Sequence, residues 1–541
     1  MKIHALQRLC ASLGIAALAF GLSGCAGNST AEKNTVTFAT GDAEPTCLDP
    51  HVGGNFPQAL AGNQFLESLF SKNSDGEIIP WLATSAKVAS DKLSWTVSLR
   101  EGVKFQDGTD FNADAVVANV NHMKDPNTKS STAILAMSKV KQVVPLDAHT
   151  VRFDLSEPDG ALIESLAQTW TAMESPAGIK RGEEANCAHP YGTGPFQVEN
   201  WEQKKQITFT RYEGYKSAPA DAKNQEGAAK IEKIVWQFIP ESSTRLAALK
   251  SGQVDVIDSV QPDALAQLEK DSNYGTAVFA RPGTTARIEL NTRRAPFNDD
   301  SVRQAFIKGM DIDPAIKSLY HGTLERSYSI LSDSVKFGVQ DPDMFTPDTD
   351  AANKLLDKAG WTDRDTDGVR MKDGKRLTVS FPLSTNQSIP AEQSLVQQIA
   401  DQEKKVGFDV KIELLDLSSW YAASGDWTFD AIIAPYSKTS PDVLRTVYSS
   451  SAIEPAPSGY HANNTGWSSP ELDAVLDQAS QEDSDSVRGP LYEKAQRMIL
   501  DSHTVIPLYG QMVQTAYTKD LAGYRLQPQL GVPTFLDASW K

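Results

Sequence analysis

The stretch "KIEKIVWQFIPESSTRLAALKSGQVDVIDSV", residues 230–260, decides the fold class. Residues 230–239 have the apolar pattern of a strand, and "PESSTRLAALKSG" predicts a helix with Ser242 or Ser243 as N-cap and Gly252 as its stop. The segment "VDVIDSV" predicts the next strand, "QPDALAQLEKDSN" another helix, and "YGTAVFARPG" a third strand. Strands that alternate with helices predict a parallel or mixed sheet with helices on both faces.

The same alternation returns at residues 376–416. There "RLTVSFPLS" predicts a strand, "AEQSLVQQIADQEKKVG" a helix and "FDVKIELLD" a strand. A chain of 541 residues is also too long for one ordinary core. We therefore predict an α/β protein with two lobes and a cleft between them.

A segment of different character lies between these units and the N-terminus. The sequence "WTVSLREGVKFQDGTDFNADAVVANVN", residues 95–121, predicts a strand, a turn at Asp107-Gly108, and a helix that starts at Asn112 or Asp114. We interpret residues from about 57 to 186 as a subdomain inserted in the first lobe.

The N-terminus has the features of a secretory signal. Lys2 and Arg8 precede an apolar run at residues 9–22, which is shorter than the roughly 20 residues that span a bilayer. Leu22-Ser23-Gly24-Cys25 resembles the lipobox of bacterial lipoproteins, in which the cysteine is acylated and becomes the first mature residue. The alternative is an ordinary signal with a chance cysteine. We expect residues 1–24 to be removed, Cys25 to carry lipid, and residues 25–35 to tether the protein to the outer, periplasmic face of the membrane.

The composition of the chain argues against some classes of binding partner. Removing residues 1–24 takes Lys2 and Arg8 away and changes the formal net charge from −17 to −19. An acidic chain without a Lys/Arg cluster argues against nucleic acid or anionic lipid as a partner. No later segment has an apolar run long enough to cross a membrane.

Four cysteines are present, and two of them are accounted for by the N-terminus. Cys10 leaves with the signal and Cys25 carries lipid, so Cys47 and Cys187 remain as one possible pair outside the reducing cytoplasm. We predict a disulfide between them. The alternative is two buried free thiols, because a sequence does not give the distance between two Cα atoms.

Catalytic and cofactor motifs are not found in the sequence. H-E-x-x-H, G-x-S-x-G, C-x-x-C and the phosphate-binding G-x-x-x-x-G-K-[ST] are missing, and "YGTGPF", residues 191–196, lacks the third glycine of a dinucleotide loop. The segment "DRDTDG", residues 363–368, starts like a calcium loop, but Gly374 stands where a bidentate Glu is required, so we predict a hairpin. We expect no enzyme, no cofactor and no metal site; His51, His189 and His461 are the histidines to check for metal or haem.

Several blocks resemble one family, in order along the chain. They are "CLDPHVGG", "FLESLFSKNSDGEIIPWLATSAKVASDKLSWTVSLREGVKFQDGTDFNADAV", "YGTGPFQVENW", "TRLAALKSGQVDVI", "LNTRRAPFNDDSVRQAFIKGMDID", "AANKLLDKAGWTDRDTDG" and "PELDAVLDQA". They are similar to the blocks of solute-binding protein family 5, the oligopeptide-, dipeptide- and nickel-binding receptors of ABC importers. The resemblance covers essentially the whole mature chain.

The resemblance implies a periplasmic-binding-protein-like fold of type II. Lobe I would span residues 36–283 with the inserted subdomain, lobe II residues 284–504, and residues 505–541 would return to lobe I. Two chain crossings would act as hinges, and the closed monomer would present its ligand to a permease and its ATPase. The ligand must bind the closed state better than the open state, since nothing else drives closure.

The resemblance also implies site residues. In peptide-binding relatives a segment after "LDPH" lends backbone groups to the ligand, which here is Gly54, Asn55 and Phe56. The inserted subdomain would contribute Thr132. The second lobe would contribute Trp420 and the loop at residues 434–442.

The loop at residues 434–442 indicates the charge of the ligand end that it contacts. In the peptide receptors an aspartate there pairs with the peptide's α-ammonium, and the resemblance places Ser437 at that position, between Tyr436 and Lys438. A hydroxyl and a cation favour a ligand whose end here is neutral or anionic. Asp442, at the end of the loop, is the alternative partner for an amine.

Three kinds of function follow. A peptide could bind with its amine at Asp442 or at another carboxylate. A non-peptide ligand, such as an opine-like compound, a sugar derivative, chelated nickel or haem, could be held by Lys438, in which case salt weakens binding and Lys438→Ala abolishes it. The third is a signalling or chaperone-like lipoprotein that binds without transport. An enzyme would need a nucleophilic residue next to a general base, and the sequence contains no such pair at a recognisable spacing.

Overall fold

The computed structural model describes residues 33–225, 227–482 and 484–541. The predicted signal, the lipidation site Cys25 and most of the predicted tether lie outside the described residues. Within the described part of the chain, no helix has the length and apolar character needed to cross a membrane.

The strands are, in chain order, β1 (Thr35–Thr40), β2 (Phe70–Lys72), β3 (Ile78–Pro80), β4 (Ala83–Val88), β5 (Ser94–Leu99), β6 (Val140–Asp147), β7 (Thr150–Leu155), β8 (Phe196–Glu202), β9 (Gln206–Arg211), β10 (Lys233–Phe238), β11 (Val256–Asp258), β12 (Tyr274–Ala280), β13 (Ala286–Leu290), β14 (Asp363–Arg364), β15 (Arg370–Lys372), β16 (Lys375–Arg376), β17 (Thr378–Ser384), β18 (Asp409–Leu415), β19 (Ala431–Ile433), β20 (Val505–Tyr509), β21 (Met512–Thr518), β22 (Leu521–Ala522), β23 (Arg525–Gln527), β24 (Val532–Thr534) and β25 (Ser539–Trp540).

The α-helices are α1 (Phe56–Gly62), α2 (Ala113–Lys124), α3 (Thr132–Ala136), α4 (Leu162–Ser165), α5 (Pro176–Ile179), α6 (Glu183–Ala188), α7 (Ser242–Lys250), α8 (Pro262–Leu268), α9 (Asp300–Gly309), α10 (Asp313–Leu319), α11 (Thr349–Lys358), α12 (Pro390–Val406), α13 (Leu417–Gly425), α14 (Val443–Tyr448), α15 (Pro470–Gln481) and α16 (Asp485–Asp501).

The largest sheet has the strand order β12-β21-β11-β1-β10-β9-β8. β1 lies between β10 and β11 and runs parallel to both, and α7 connects these two neighbours. Both edges are antiparallel, because β9 and β8 pair as a hairpin on one side and β21 lies between β11 and β12 on the other. The sheet is therefore mixed, as the alternation of strands and helices predicts.

The start of α7 differs from the prediction. Its N-cap is Glu241, whose side chain accepts a hydrogen bond of 3.3 Å from the backbone N–H of Ser243. The two serines that follow lie inside the helix. The longer Glu side chain satisfies the same orphan N–H that a capping serine would satisfy.

The three largest hydrophobic cores organise most of the described residues, and two smaller clusters lie around Leu265 and around Trp420. The first core surrounds the large sheet and includes Phe38, Trp236 and Phe535. The second core runs from Ala286 to Tyr509 and includes the parallel pair β17 and β18, which α12 connects as predicted. These two cores give the protein two mixed α/β centres, and the region between them is where the cavity described below is found.

The third core belongs to the region predicted as an insertion. It runs from Leu69 to Met173 around the antiparallel sheet β4-β5-β7-β6. Helix α1, inside the expected bounds of 57–186, instead contributes Ala59, Leu60 and Ala61 to the first core. The core of this subdomain thus spans fewer residues than the predicted insertion.

The chain crosses between the first and second cores at residues 281–285 and again at residues 510–511. The two crossings are hydrogen-bonded to each other: the Arg281 N–H donates to the Gln511 carbonyl at 2.8 Å, and Gln511 Nε2 donates to the Thr284 carbonyl at 2.8 Å. The expected return at residue 505 is displaced, because β20 pairs with β13 and its side chains pack in the second core. The chain returns after Tyr509.

Two local predictions can be compared with the structure. Cys47 and Cys187 form a disulfide with a Cα–Cα distance of 4.4 Å, which joins the segment before α1 to α6. Residues 363–376 form the antiparallel strands β14, β15 and β16, and Arg376 pairs with Asp365 at 2.6 Å and with Asp367 at 3.2 Å. The segment that starts like a calcium loop is therefore the predicted hairpin, and two of its carboxylates form ion pairs with an arginine.

Candidate ligand-binding cleft

A cavity of about 840 Å³ lies beside the chain crossings, between the first and second cores. This volume suits a small solute or a short peptide. The wall from the first-core side includes Asp42, Gly54, Asn55, Phe56, Thr132, Trp170 and Asp258, and the wall from the second-core side includes Glu392, Trp420, Tyr421, Tyr436, Ser437, Tyr460, His461 and Tyr509.

The predicted segment Gly54–Phe56 lies against α3. Gly54 has φ +132°, and a Cβ on it would lie 2.5 Å from Thr132 Oγ1, so glycine is required for this close approach. The Thr132 hydroxyl donates to the Gly54 carbonyl at 3.0 Å. The backbone conformation and the packing together fix this wall of the cavity.

The hydrogen bonds of this segment show what it can offer a ligand. The carbonyls of Gly54 and Asn55 accept from Thr132 Oγ1 and from Trp170 Nε1, and the Asn55 side chain caps α1. The backbone N–H groups of Gly54 and Asn55 have no acceptor within the described part of the chain. The segment can therefore donate to a ligand from two free N–H groups, whereas both carbonyls already accept a hydrogen bond from a side chain.

Arg281 is the cationic residue of the cavity. Its guanidinium carbon lies 3.5 Å from the centroid of the Phe56 ring, and its Nε donates to Ser437 Oγ at 2.7 Å. Neither Nη group has a hydrogen bond to any described residue. Burial lowers the pKa of Arg281 to about 10, which still leaves it charged at neutral pH. Two donors on a fixed cation are thus available to an anionic group of a ligand.

Asp42 is the acidic residue near Arg281. It follows β1, and its Oδ1 accepts from the Ala43 N–H at 2.8 Å. The pKa of Asp42 is raised to about 7, mainly by burial and in smaller part by the charge of Asp258, while the Ala43 N–H and the charge of Arg281 oppose the increase. Asp258 itself is held by Thr40 Oγ1 at 2.5 Å and the Gly41 N–H at 2.7 Å. The cavity therefore contains a carboxyl and a guanidinium close enough to influence each other.

A further carboxyl lies on the opposite wall. Glu392 stands in the first turn of α12, and its Oε2 accepts a hydrogen bond from the Tyr509 hydroxyl. Burial raises the pKa of Glu392 to about 7. Its Oε1 has no hydrogen-bond partner in the described part of the chain, so this oxygen can accept from a ligand.

Aromatic side chains cover the second-core wall. Trp420 and Tyr421 meet edge to face at 5.2 Å, and Tyr421 and Tyr460 do so at 6.3 Å. Burial raises the pKa of both Tyr421 and Tyr436 to about 12, so their hydroxyls are neutral at physiological pH. This wall can pack against apolar or planar parts of a ligand and donate from phenol groups.

The structure brings most of the predicted site residues together. Gly54, Asn55, Phe56, Thr132, Trp420, Tyr436 and Ser437 all line the cavity. Lys438 and Asp442 do not: Lys438 Nζ pairs with Asp442 Oδ2 at 2.7 Å, and Asp442 also accepts from Arg445 Nε at 2.8 Å.

The ion pair explains why the predicted contacts of Lys438 and Asp442 do not form. The Asp442 carboxylate is fully buried and needs opposite charge, which Lys438 and Arg445 supply. These two cations hold the pKa of Asp442 well below its usual range. Neither a ligand amine at Asp442 nor a ligand anion at Lys438 fits this arrangement.

Sequence reasoning missed Arg281, Asp42 and Glu392. A usable signal existed for Arg281, since "ARPG" places a charged residue and a turn at the predicted boundary between the lobes. Of the three histidines singled out, His461 lines the cavity, but its Nδ1 and Nε2 face the carbonyls of Ile453 and Gly425 at 2.6 and 3.2 Å. His189 packs on Tyr191, and His51 lies in a separate cluster treated below.

Two α/β cores, two chain crossings and a solute-sized cavity beside them define the class: a two-lobed binding protein. The family described as "Bacterial extracellular solute-binding proteins, family 5 Middle" matches residues 77–453, and the chain belongs to that family. The resemblance stated from the sequence blocks is confirmed.

Individual relatives match this chain over almost its whole length. The glutathione-binding protein GsiB of Escherichia coli O6:K15:H31 is 27% identical over 549 residues, which cover 97% of this chain and 98% of that protein. A dipeptide-binding protein from Pseudoalteromonas sp. SM9913 in complex with Met-Leu superposes with a TM-score of 0.82 at 22% identity, covering 94% of this chain and 100% of the other. The protein AgaA from A. tumefacien R10 in complex with agropinic acid gives 0.80 at 23%, covering 94% and 99%. The two structures confirm the predicted fold class.

Proposed function

We propose that this protein is the extracytoplasmic substrate-binding lipoprotein of an ABC importer, and that its ligand is a small zwitterion with an amino-acid group, a short peptide first of all. Lobe I comprises residues 36–283 with the inserted subdomain and the C-terminal residues 510–541, and lobe II extends from residue 284 to Tyr509. The lobes close on the ligand and deliver it to the permease, while lipid on Cys25 keeps the protein at the membrane. It acts by binding alone.

One observation carries the proposed ligand class: Arg281 and Asp42 line the same cavity, each with unused hydrogen-bonding capacity. A carboxylate of the ligand pairs with the free Nη groups of Arg281, and the N–H groups of Gly54 and Asn55 supply further donors. An ammonium of the ligand pairs with Asp42, which ionises fully when a cation compensates its burial. Both ends of a zwitterion are thus matched by opposite charge.

The relatives support the same class. Proteins named for glutathione and for a dipeptide bind solutes that carry an α-ammonium and carboxylates. Glutathione has an amino-acid zwitterion at its γ-glutamyl end, which fits a cavity of about 840 Å³. We therefore place glutathione-like tripeptides and dipeptides first among the ligands.

An opine-like amino-acid conjugate is the second candidate. The relative with agropinic acid shares the fold, and Ser437 at the position of the peptide receptors' aspartate favours a ligand end that is not cationic there. An opine-like conjugate whose nitrogen is an amide would use Arg281 as a peptide does but would have no ammonium for Asp42. Binding to Asp42→Asn separates the two: a peptide loses affinity and such a conjugate does not.

Calorimetry on the mature protein, unfolded and refolded to remove bound solute, tests the ligand class. The probes are glutathione and Met-Leu, each also with its amine acetylated or its carboxylates amidated. We expect each modification, and Arg281→Gln, to weaken binding at least tenfold, since a charge-assisted hydrogen bond contributes about 1.5–3 kcal/mol. The matched control is Arg293→Gln, whose guanidinium stacks on Trp427 at 4.5 Å outside the cavity. Unchanged affinity in Arg281→Gln would refute the assignment.

Delivery and anchoring need separate tests. In cells, deletion of the cognate permease should abolish uptake of the bound solute while leaving binding by the purified protein intact. Cys25→Ser should release the protein from the membrane fraction, and mass spectrometry of the wild-type N-terminal peptide should show acyl chains on Cys25. Uptake that persists without any permease would favour a lipoprotein that binds without transport.

A further inference from the structure

Four potential metal ligands meet in the interior, away from the cavity. They are Asp49, His51, His122 and Glu174, and one ligand atom from each lies within 4.8 Å of the others. Asp49 and His51 precede α1, His122 lies in the last turn of α2, and Glu174 precedes α5. Three of the four side chains are buried, and His122 is 19% exposed.

Neighbouring groups orient both histidines. His51 Nε2 lies 2.9 Å from the Ala172 carbonyl, which can only accept, so this nitrogen carries the proton and Nδ1 keeps its lone pair. His122 Nδ1 lies 3.0 Å from Thr128 Oγ1, and its Nε2 shares a proton with Asp49 Oδ2 at 2.9 Å. If Thr128 accepts from Nδ1, a metal ion can replace the proton on Nε2 and be bound by both Nε2 and Asp49. Metal-bound histidines are held in this way, by an outer hydrogen bond from the second nitrogen.

The carboxylates are oriented as well. A single amide, Asn186 Nδ2, donates to Asp49 Oδ2 at 2.9 Å and to Glu174 Oε2 at 2.7 Å. This bond uses one oxygen of Glu174 and leaves Oε1 turned towards the histidines. Asn186 adjoins Cys187, so the disulfide to Cys47 fixes the segment that carries this amide.

Two atoms in the cluster have no partner. His51 Nδ1 and Glu174 Oε1 are fully buried, face each other at 3.6 Å, and have no hydrogen bond within the described residues. Both present lone pairs. No lysine or arginine of the described chain lies within 4.0 Å of either carboxylate. A cation placed between them would be bound by the unpaired imidazole nitrogen and would compensate the buried carboxylates, since buried charge is stabilised by an opposite charge or a metal ion.

We propose that Asp49, His51, His122 and Glu174 bind one divalent transition-metal ion, with Zn²⁺ the preferred occupant. Glu174 Oε1 lies 3.6 Å from His51 Nδ1 and 3.8 Å from His122 Nε2. Asp49 faces His122 Nε2 through Oδ2 at 2.9 Å and His51 Nδ1 through Oδ1 at 3.9 Å, and one donor atom from each of the four residues lies within 4.8 Å of the others. A tetrahedron with bonds of about 2.0–2.1 Å has edges of about 3.4 Å, so small side-chain adjustments close the site. Two imidazoles favour Zn²⁺ over Ca²⁺ or Mg²⁺, which prefer oxygen ligands. The part-exposed His122 provides the entry path.

The ion has a structural role that is distinct from cargo. It joins three separate segments, and two of them continue directly into the cavity wall: His51 precedes Gly54, and His122 is linked through Thr128 to the segment of Thr132. The Gly53 carbonyl accepts from the Ser131 N–H at 2.7 Å, which ties these segments together. The inference departs from the sequence expectation of no metal, and it is independent of the proposed ligand.

The test uses mature protein prepared without a histidine tag, because a tag binds the same metals. Elemental analysis after Zn²⁺ loading and extensive dialysis should find one ion per chain, and Co²⁺ loading should give the visible d–d bands of a tetrahedral site. His122→Ala should lower Zn²⁺ affinity at least tenfold and abolish the Co²⁺ bands. His461→Ala, in the ligand cavity, and His189→Ala, beside Cys187, are matched controls that should retain both signals.

A second variant protects the test against misfolding. Glu174→Gln keeps the shape and the bond from Asn186 but removes the anionic oxygen, and it should also lose the Co²⁺ bands. Zn²⁺ should raise the melting temperature of wild type and of His461→Ala but not of Glu174→Gln, since an ion that binds only the folded state stabilises it. Wild-type protein that shows neither stoichiometric Zn²⁺ nor Co²⁺ bands overturns the proposal, as does metal binding that survives in both His122→Ala and Glu174→Gln.

Discussion

Arg281 Nε donates a hydrogen bond of 2.7 Å to Ser437 Oγ, which joins the first chain crossing to the loop after β19. Ser437 stands where the resemblance to peptide receptors places an aspartate for the ligand's ammonium. Here the short hydroxyl orients a guanidinium and leaves both Nη groups open. The charge offered to the ligand at this point of the cavity is therefore reversed from anionic to cationic.

This relationship predicts the effect of restoring an acid. Ser437→Asp should place a carboxylate on Arg281, occupy its free donors and neutralise its charge. We expect at least a tenfold loss of affinity for a ligand whose carboxylate binds there, measured by calorimetry. Ser437→Ala is the control: it removes one hydrogen bond but leaves the Nη groups free, so its affinity should fall only a few-fold. Tighter binding by Ser437→Asp would place the ligand's ammonium, not its carboxylate, at this position.

The buried cluster of Lys438, Asp442 and Arg445 predicts an effect on stability without an effect on binding. Asp442→Asn leaves two buried cations unpaired and should lower the free energy of unfolding by about 3–5 kcal/mol. Lys438→Met leaves the Arg445 pair intact and should cost less, about 1–3 kcal/mol. Urea denaturation measures both losses.

The same variants test whether Lys438 has a structural role, as its ion pair indicates, or contacts the ligand, as the sequence predicts. Ligand affinity of folded Lys438→Met should stay within about twofold of wild type, because the Lys438 side chain does not reach the cavity. A salt-sensitive loss of binding in Lys438→Met would restore Lys438 as a ligand contact.

The sequence predicts this part of the site incompletely, for a physical reason. The resemblance places Tyr436 and Ser437 in the cavity, but the direction of the next side chain depends on where it finds opposite charge. Lys438 and Arg445 stand four residues before and three residues after Asp442, and these spacings indicate ion pairs on one helical face, a signal that could have been used. Asp42 and Glu392 gave no such signal, because only long-range packing brings the ends of β1 and the start of α12 to one cavity.

In the fold, too, features set by neighbouring residues are predictable and features set by distant residues are not. The strands and helices of residues 230–283 and 376–416 are predictable because periodicity is local. The pairing of β12 with β21 is not, since the partner strand lies more than 200 residues along the chain and leaves no pattern in β12 itself. For the same reason the return point after Tyr509 could be predicted only approximately.

Glu392 predicts a pH dependence of stability. Its folded-state pKa is raised to about 7 from 4.5, so the folded protein keeps a proton that the unfolded chain loses between these values. Its contribution to stability is fully present below pH 4.5 and is lost as the pH rises through about 7. Glu392→Gln should therefore equal wild type near pH 4.5 and exceed it at pH 8 by about 1–3 kcal/mol, because the Gln carbonyl still accepts from Tyr509.

Urea denaturation at several pH values provides the measurement. Glu454→Gln, at an exposed position, is the control for the removal of one carboxylate. A difference between Glu392→Gln and wild type that is constant across this range would mean that Glu392 ionises normally in the folded protein.

The disulfide predicts a loss of stability on its removal. Cys47 and Cys187 are 140 residues apart, and closing a loop of this length restricts the unfolded chain by about 5 kcal/mol in the chain-entropy description. The double variant Cys47→Ser/Cys187→Ser should therefore unfold at much lower urea concentration, and wild type in reductant should behave like it. If reduced and oxidised wild type unfold together, the bond does not form in the native protein.

Two glycines at the chain crossings form a matched pair. Gly283 has φ +121°, and a Cβ on it would overlap the carbonyl oxygen of Tyr436, which accepts from the Thr284 N–H at 2.9 Å. Gly510, at the second crossing, has no heavy atom within 4 Å of an added Cβ. Gly283→Ala should cost about 1–3 kcal/mol and weaken ligand binding, because the displaced loop carries Tyr436 and Ser437; Gly510→Ala should change neither. Equal effects of the two variants in urea denaturation and calorimetry would show that general backbone stiffening, not overlap with Tyr436, causes the losses.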